Sequence, residues 1–154
     1  MTDHANRTRL GDFLPYLLSV TANAVSSRVA EVYRREFGLR IPEWRVMAVL
    51  GDAGARTQRE LTAATVMDKV AVNRACKELE DRGLAARTAN AHDGRSHHLE
   101  LTAAGREMHG RIMPLALDME RQLFEDFSAE ERESFRRLLA KLREAAGELD
   151  PEAL

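Results

Sequence analysis

The chain has 154 residues, of which 44% are apolar and 31% charged, enough for one ordinary domain with a hydrophobic core. Its 25 acids and 23 Lys and Arg residues give a formal charge of −2. That balance excludes a uniformly basic nucleic-acid binder but allows a basic patch on an acidic body. A single cysteine excludes disulfide frameworks and paired-cysteine metal sites, and no apolar run reaches the roughly 18 residues of a membrane span.

The first segment has features of both a helix and a secretion signal. Two arginines precede an apolar run at 13–20, and small residues at 22–24 resemble a cleavage site. The run is short and its apolar spacing continues beyond residue 24, so we favour a first helix in a cytoplasmic protein. We expect Asp12 to cap this helix and Gly38 to end it. Its apolar stripe consists of Leu14, Leu18, Val25, Val29 and Val32.

The next three helices have clear start and stop signals. Residues 41–43 open the second helix, and residues 51–54 close it. Residues 57–60 form a capping box for a short third helix. Asp68 caps a fourth helix, which ends at Gly83 and directs inward three residues: Val72, Cys76 and Leu79. Only a short connection separates the third and fourth helices, which predicts a helix-turn-helix.

A β-hairpin is expected directly after the helix-turn-helix. Segments 84–90 and 96–102 have extended character, and the tip at 91–95 contains an Asp-Gly turn signal. A helix-turn-helix followed by a two-stranded hairpin is a winged helix, here spanning 41–102.

Two long helices complete the chain. Thr102 caps the fifth helix, which Gly110 and Pro114 should kink, and a capping box at 128–131 opens the sixth. The apolar stripes comprise Met108, Ile112, Leu115, Met119 and Leu123 in the fifth helix and Phe135, Leu138, Leu139, Leu142 and Leu149 in the sixth. The winged unit is too small to cover the helices of 10–38 and 103–149. We therefore expect one mainly α domain over 1–154, with a small β-hairpin wing, whose flanking helices pair with a second copy.

The fourth helix has side chains suited to DNA. Residues 56–98 carry a net charge of +2, against −4 for the remainder, and the acids of this helix cluster near its C-terminal end. Arginine suits guanine, asparagine suits adenine, and apolar groups suit thymine methyls. The candidates at its exposed, N-terminal side are Lys69, Val70, Ala71, Asn73, Arg74 and Lys77. The spacing of these residues alone is equally consistent with a solvent-exposed helix face that binds no DNA.

At the hairpin tip, Arg95 is a candidate for insertion into a narrow minor groove. Asp93 would hold its guanidinium or shape the turn. The alternative is an ordinary exposed loop arginine.

Six stretches in this order resemble MarR-family transcriptional regulators, and the likeness extends over nearly the whole chain. They are 42–46, 58–61, 67–69 with 72–74, 79–84, 93–96 and 101–105. The resemblance implies a homodimeric winged helix that binds a pseudo-palindromic operator and is released by a small, often phenolic, anion. The family often has serine or threonine where this chain has Val70 and Ala71, so an operator sequence does not transfer.

Two neighbouring residues at the start of the second helix have side chains suited to a small ligand. Trp44 and Arg45 are candidates for the wall and the cation of an effector pocket, with Tyr16 and Ser19 as weaker candidates, although Trp44 also fits a core position. Cys76 is expected in the core. The histidines at 92, 97 and 98 cannot readily share one metal ion, and no nucleophile–base pair or cofactor motif is present.

These features predict a DNA-binding regulator that acts as a repressor, without enzymatic activity, cofactor, metal or membrane association. The alternative is a winged helix that binds another protein rather than DNA. The near-neutral charge and the apolar pair Val70 and Ala71 motivate that alternative.

Overall fold

The computed structural model describes residues 9–89 and 94–148. A short 3₁₀ turn, Leu10–Asp12, precedes helices α1 (Leu14–Phe37) and α2 (Ile41–Ala53). Strand β1 (Arg56–Thr57) leads into α3 (Gln58–Thr65) and α4 (Lys69–Asp81). Strands β2 (Ala85–Ala89) and β3 (His97–Leu101) follow, and then α5 (Ala103–Leu123) and α6 (Ala129–Glu148). The predicted mainly helical winged-helix architecture is confirmed.

Local capping explains most of these boundaries. Thr57 Oγ1 accepts from Glu60 N at 3.2 Å, while the Glu60 carboxylate accepts from Thr57 N at 2.7 Å, which closes the predicted capping box of α3. This backbone bond lowers the pKa of the Glu60 carboxyl. The same exchange opens α6, where Ser128 and Glu131 bond each other's backbone N–H groups.

The predicted cap of α1 is wrong. Asp12 lies inside the 3₁₀ turn, and Phe13 occupies the N-cap position without a side-chain bond. Pro15 sits in the first turn of α1, where its missing N–H costs nothing. Gly38 ends the helix as predicted, with φ +64° in the left-handed region.

The sheet has three strands in the order β1–β3–β2, all antiparallel. The two antiparallel strands predicted within 84–90 and 96–102 are confirmed as β2 and β3, whereas β1 was not predicted. Of the predicted tip at 91–95, residues 91–93 lie outside the described residues. Its two residues pair with β3, Arg56 opposite Leu99 and Thr57 opposite His98. Two residues are too few to show the alternation by which a strand is recognised in a sequence.

The buried core lies where the helix-turn-helix packs against α2 and β3. Its fully buried side chains come from α2, α3, α4, α5 and the α1–α2 connection: Leu39, Val46, Met47, Leu61, Val72, Leu79 and Ile112. The inward positions predicted for α4 are confirmed. Buried Glu43 completes this region, accepting from Arg40 N at 2.7 Å and Arg40 Nε at 2.8 Å, and this pairing raises the pKa of Arg40.

The wing joins α5 through a close backbone approach. Thr102 Oγ1 donates to Gly83 O at 2.6 Å, and Thr102 N donates to Leu84 O at 3.1 Å. A side chain at Gly105 would overlap the carbonyl oxygen of Leu84, so glycine permits this approach. Thr102 Oγ1 also accepts from Gly105 N at 3.1 Å, as expected of the cap of α5.

Contacts divide the chain into two compact units, Met1–Pro114 and Leu115–Leu154. Helix α5 is continuous through Gly110 and Pro114, so the kink expected there remains a prediction. In the second unit, Phe124 contacts Phe127 and Phe135, with ring centroids 5.1 and 5.8 Å apart. Within the described residues, no helix is long and apolar enough to cross a membrane.

Candidate nucleic-acid interface

Helix α4 presents its predicted contact residues to solvent. Asp68 caps the helix as predicted, accepting from Ala71 N at 2.8 Å. The side opposite its buried face carries exposed polar and apolar groups, namely Lys69, Val70, Asn73, Arg74 and Lys77, with Ala71 half-buried beside them. Val70 is 61% exposed, a high fraction for a valine inside a helix. These side chains are therefore available to a ligand as large as a duplex.

The wing and the helix-turn-helix enclose a concave surface of about 880 Å³. Four cations line it: Arg59 in the first turn of α3, Lys69 in the first turn of α4, Arg87 on β2, and Arg95 beside β3. We call this concave surface, with its four cations, the cationic groove. The groove is also lined by Ala63 and by side chains that can form hydrogen bonds, namely Thr57, Gln58, Thr62, Ser96 and His97. Among the residues that the structure describes, no carboxylate lines it.

The groove brings together two sequence predictions and adds two residues. Lys69 and Arg95 were predicted separately, as parts of the helix and of the wing, and here they line one surface. Arg59 and Arg87 were missed. Arg59 lies within the capping box at 57–60, so its position in an exposed first helical turn was readable from sequence. The orientation of Arg87 depends on the register between β2 and β3, and that register could not be read from the sequence.

One acid outside the groove partly neutralises the positive charge of Arg87. Glu80, near the C-terminal end of α4, accepts from Arg87 Nε at 2.9 Å. The pair is partly exposed, with side-chain exposures of 40% and 27%, so it orients Arg87 more than it contributes to stability.

Asp93, the predicted partner of Arg95, lies outside the described residues. Arg95 itself is exposed. The suggested roles of both residues remain predictions.

Cys76 is buried on the inner face of α4, as predicted. Desolvation raises the pKa of its thiol to about 11. The thiol is therefore protonated at neutral pH, which is opposite to the state that a redox-sensing cysteine requires.

The effector-pocket candidates occupy separated positions. Trp44 is half-buried, 5.0 Å from the Tyr33 ring and 6.2 Å from the His109 ring between centroids. Arg45 is exposed beside it, whereas Tyr16 and Ser19 are exposed near the other end of α1. Tyr16 precedes Tyr33 by 17 residues of one helix, or about 25 Å at 1.5 Å per residue. A pocket containing all four would therefore need Tyr16 and Ser19 from a second copy.

Among residues 9–89 and 94–148, no three His, Cys, Asp or Glu side chains are grouped so that they could hold a metal ion.

The turn between α3 and α4 is strained. Val66 has φ +52° and ψ +40°, in the left-handed region that β-branched residues rarely adopt. Its side chain is 88% exposed, so burial does not compensate for this conformation. The turn nevertheless fixes how α4 leaves α3, and it lies beside the first residues of the candidate DNA-contacting helix.

Comparison with known proteins agrees with this architecture. The sequence model of the MarR family matches residues 37–96. An HTH-type transcriptional repressor of Mycobacterium tuberculosis is 30% identical over 122 residues, covering 75% of this chain and 88% of that protein. The chain belongs to the MarR family.

Solved structures of MarR-family and related regulators share the fold. A MarR/EmrR family regulator from Acinetobacter sp. ADP1 is 26% identical, with a TM-score of 0.85, and the match covers 92% of this chain and 99% of that one. BpsR of Bordetella bronchiseptica, whose DNA binding is described as regulated by 6-hydroxynicotinic acid, is 22% identical, with a TM-score of 0.70 over 82% of this chain and 98% of its own. MarR-family regulators bind DNA and act as dimers. The chain is accordingly a winged helix-turn-helix transcriptional regulator.

The strain at Val66 yields a stability prediction. We expect Val66→Asn to stabilise the protein by about 1 kcal/mol, because asparagine tolerates the left-handed conformation and no packing is lost. Val70→Asn is the matched control, since Val70 is also exposed but lies in regular helix, where valine and asparagine have similar propensities. Urea unfolding measures both. Equal effects of the two substitutions would show that Val66 stores no strain.

Proposed function

We propose that the chain is a homodimeric repressor of transcription in which α4 enters a major groove, the wing reaches the flanking minor groove, and a small aromatic acid causes release from the operator. The observation that carries the DNA-binding part is the cationic groove, in which the first turn of α4 and the wing present positive charge on one concave surface. The repressor assignment is supported by the name of the Mycobacterium tuberculosis relative.

The contacts divide by chemistry. Arg59, Lys69 and Arg87 suit phosphates, because they lie around the entrance of α4 and carry long flexible cations. Arg95 suits the narrow minor groove, with Asp93 as its proposed partner. The exposed side of α4 would meet base edges in the major groove through Val70, Ala71, Asn73, Arg74 and Lys77. In a two-fold dimer, two such helices would contact half-sites about 10 bp apart.

Removing a cation of the groove should weaken DNA binding. We expect Lys69→Ala and Arg95→Ala each to lower affinity about tenfold and to reduce the slope of log affinity against log salt by about 1, because each loses a contact with the polyanion. Fluorescence anisotropy with the chain's own upstream DNA over a salt series measures both quantities. Lys141→Ala, an exposed lysine of α6, is the matched control.

If both variants bind as tightly as the wild-type protein, the cationic groove is not the DNA surface. If the wild-type protein itself shows no affinity for duplex DNA, the protein-interaction module becomes the better hypothesis.

The apolar side chains left exposed on α1 and α6 support a dimer. Leu14 is 76% exposed and Leu138 53% exposed, and each belongs to an apolar series along its own helix. The remaining members with substantial exposure are Leu18 and Val25 in α1 and Phe135 and Leu142 in α6. Such series cost free energy when hydrated, and a second copy of the same helices would cover them.

A charge in this surface should therefore separate the subunits. We expect Leu138→Glu to change the mass measured by light scattering at micromolar concentration from that of a dimer to that of a monomer. Operator affinity should fall at least about a hundredfold, because one half-site provides only part of the contacts. Lys141→Glu, one turn further along α6 but outside the apolar series, should remain dimeric. A wild-type protein that is monomeric under these conditions would contradict the proposed assembly.

The effector proposal rests on Trp44 and Arg45, with Tyr16 and Ser19 supplied by the second subunit. The half-buried indole and the neighbouring exposed guanidinium offer an aromatic wall and a partner for a carboxylate. The regulation of BpsR by 6-hydroxynicotinic acid supports an aromatic acid as the ligand class.

Calorimetric titration with 6-hydroxynicotinic acid and with a hydroxybenzoic acid tests the pocket. We expect Arg45→Gln to lower the affinity for the acid about tenfold while leaving DNA affinity in its absence unchanged, because the lost interaction is a charge-assisted pair. Arg28→Gln on α1 is the matched control, an exposed arginine paired with Glu31. Equal affinities of the two variants would remove Arg45 from the proposed pocket.

A further inference from the structure

One side chain links the end of the DNA-contacting helix directly to the end of α1. Arg82, the C-cap residue of α4, donates from one terminal nitrogen to Phe37 O at 2.9 Å and from the other to Gly38 O at 3.1 Å. These partners lie 45 and 44 residues earlier in the chain. Helix α1 packs mainly on α2, and α4 packs mainly on α2, α3 and β2. Arg82 therefore adds a direct polar connection between α1 and α4, two elements that both pack on α2.

The geometry of this contact suits a guanidinium. The last carbonyl groups of a helix have no partners within the helix and carry the negative end of its dipole. Gly38 turns the chain into the left-handed conformation, and both carbonyls are within reach of one planar side chain. Two nitrogens held in a rigid fork fix a direction as well as a distance, which a single ammonium group cannot do.

The same end of α1 is contacted from α5. The guanidinium carbon of Arg111 lies 5.6 Å from the centroid of the Phe37 ring, within the range of a cation–π contact. Phe37 thus receives Arg82 on its carbonyl group and Arg111 on its ring. The last turn of α1 is the place where contacts from the DNA-contacting and dimer-forming helices converge.

We propose that Arg82 is a positioning residue that fixes the direction of α4 relative to α1 of the same subunit and thereby sets the half-site spacing that the dimer accepts. This inference rests on the proposed dimeric DNA-binding function. Because α1 would be held at the two-fold axis, a rotation of α4 against α1 changes the separation of the two α4 helices. Loss of the fork should therefore relax the preference for spacing more than it weakens the contact with each half-site.

Operator duplexes of different spacing test this inference. A preferred duplex is first selected from a random pool with the wild-type protein. Variants of that duplex then carry one base pair more or one fewer between the half-sites, and a further duplex carries a single half-site. We expect the wild-type protein to prefer the original spacing by about tenfold or more, the range of discrimination that a single altered position usually produces. Arg82→Gln should reduce this preference to about threefold or less, with the single-half-site affinity changed by less than about threefold.

Two further variants separate positioning from charge and from folding. Arg82→Lys keeps the charge but not the fork, so we expect it to retain single-half-site affinity and to lose spacing preference. Arg35→Gln, the matched control, removes an arginine near the end of α1 that pairs within the helix with Glu36. It should keep the wild-type preference. Thermal unfolding by circular dichroism checks that each variant is folded.

The failures are distinguishable. If the wild-type protein selects no duplex from the pool, the proposed function fails and this inference fails with it. If the wild-type protein binds and Arg82→Gln keeps its spacing preference, the inference alone is overturned. Full retention of that preference by Arg82→Lys would show that charge is sufficient, which overturns the role of the fork.

Discussion

Strand β3 holds the helix-turn-helix at both of its ends. It pairs on one side with β1, which directly precedes α3, and on the other with β2, which follows α4 after Arg82, Gly83 and Leu84. The register of one central strand therefore determines where α3 begins, where α4 ends and where the wing projects. Its alternation buries Leu99 and Leu101 on one face and places His98 and Glu100 on the opposite, more exposed face. A slip of one residue would reverse these faces, so burial of the two leucines also fixes the position of the wing beside α4.

This constraint explains how a chain with a net charge of −2 presents a positive surface. The four cations of the cationic groove come from α3, α4, β2 and the residues before β3, and the sheet brings them around one concavity. Acids occur nearby in sequence, but Glu60 is used by the cap of α3 and Asp68 by the cap of α4. Their carboxylates accept hydrogen bonds from backbone N–H groups, as is favourable for acids at a helix N-terminus. These bonds hold the two charged carboxylates at the helix N-termini, and neither Glu60 nor Asp68 lines the groove.

The sequence was most informative where structure is decided within a few residues. Capping boxes at Thr57 and Ser128, the glycine at 38 and the hairpin turn located most helix and strand boundaries, because each signal involves neighbours three or four positions apart. Asp12 misled the prediction of α1 because a good capping residue lay just ahead of the helix that Pro15 opens. The two-residue strand β1, the position of Arg87 in the groove and the reach of Arg82 to Phe37 could not be predicted. The pairing of β1 with β3 and the reach of Arg82 join residues more than 40 positions apart, and the position of Arg87 depends on the register between β2 and β3. This sequence contains no local signal for any of the three.

The link between α1 and α4 has a strength suited to regulation. Hydrogen bonds from a charged donor contribute about 1.5–3 kcal/mol each in favourable settings, and less where water competes, as at the exposed Arg82. Coupling free energies between an effector site and a second site are typically about 1–3 kcal/mol. An effector that favours a different direction of α1 could therefore break the fork at a cost that its binding supplies. The buried contacts of α2 with α4 are far more costly to separate, so the winged helix would move as one body while its angle to α1 changes. A regulator of this design would respond through the orientation of its DNA-binding unit, with the unit itself unchanged.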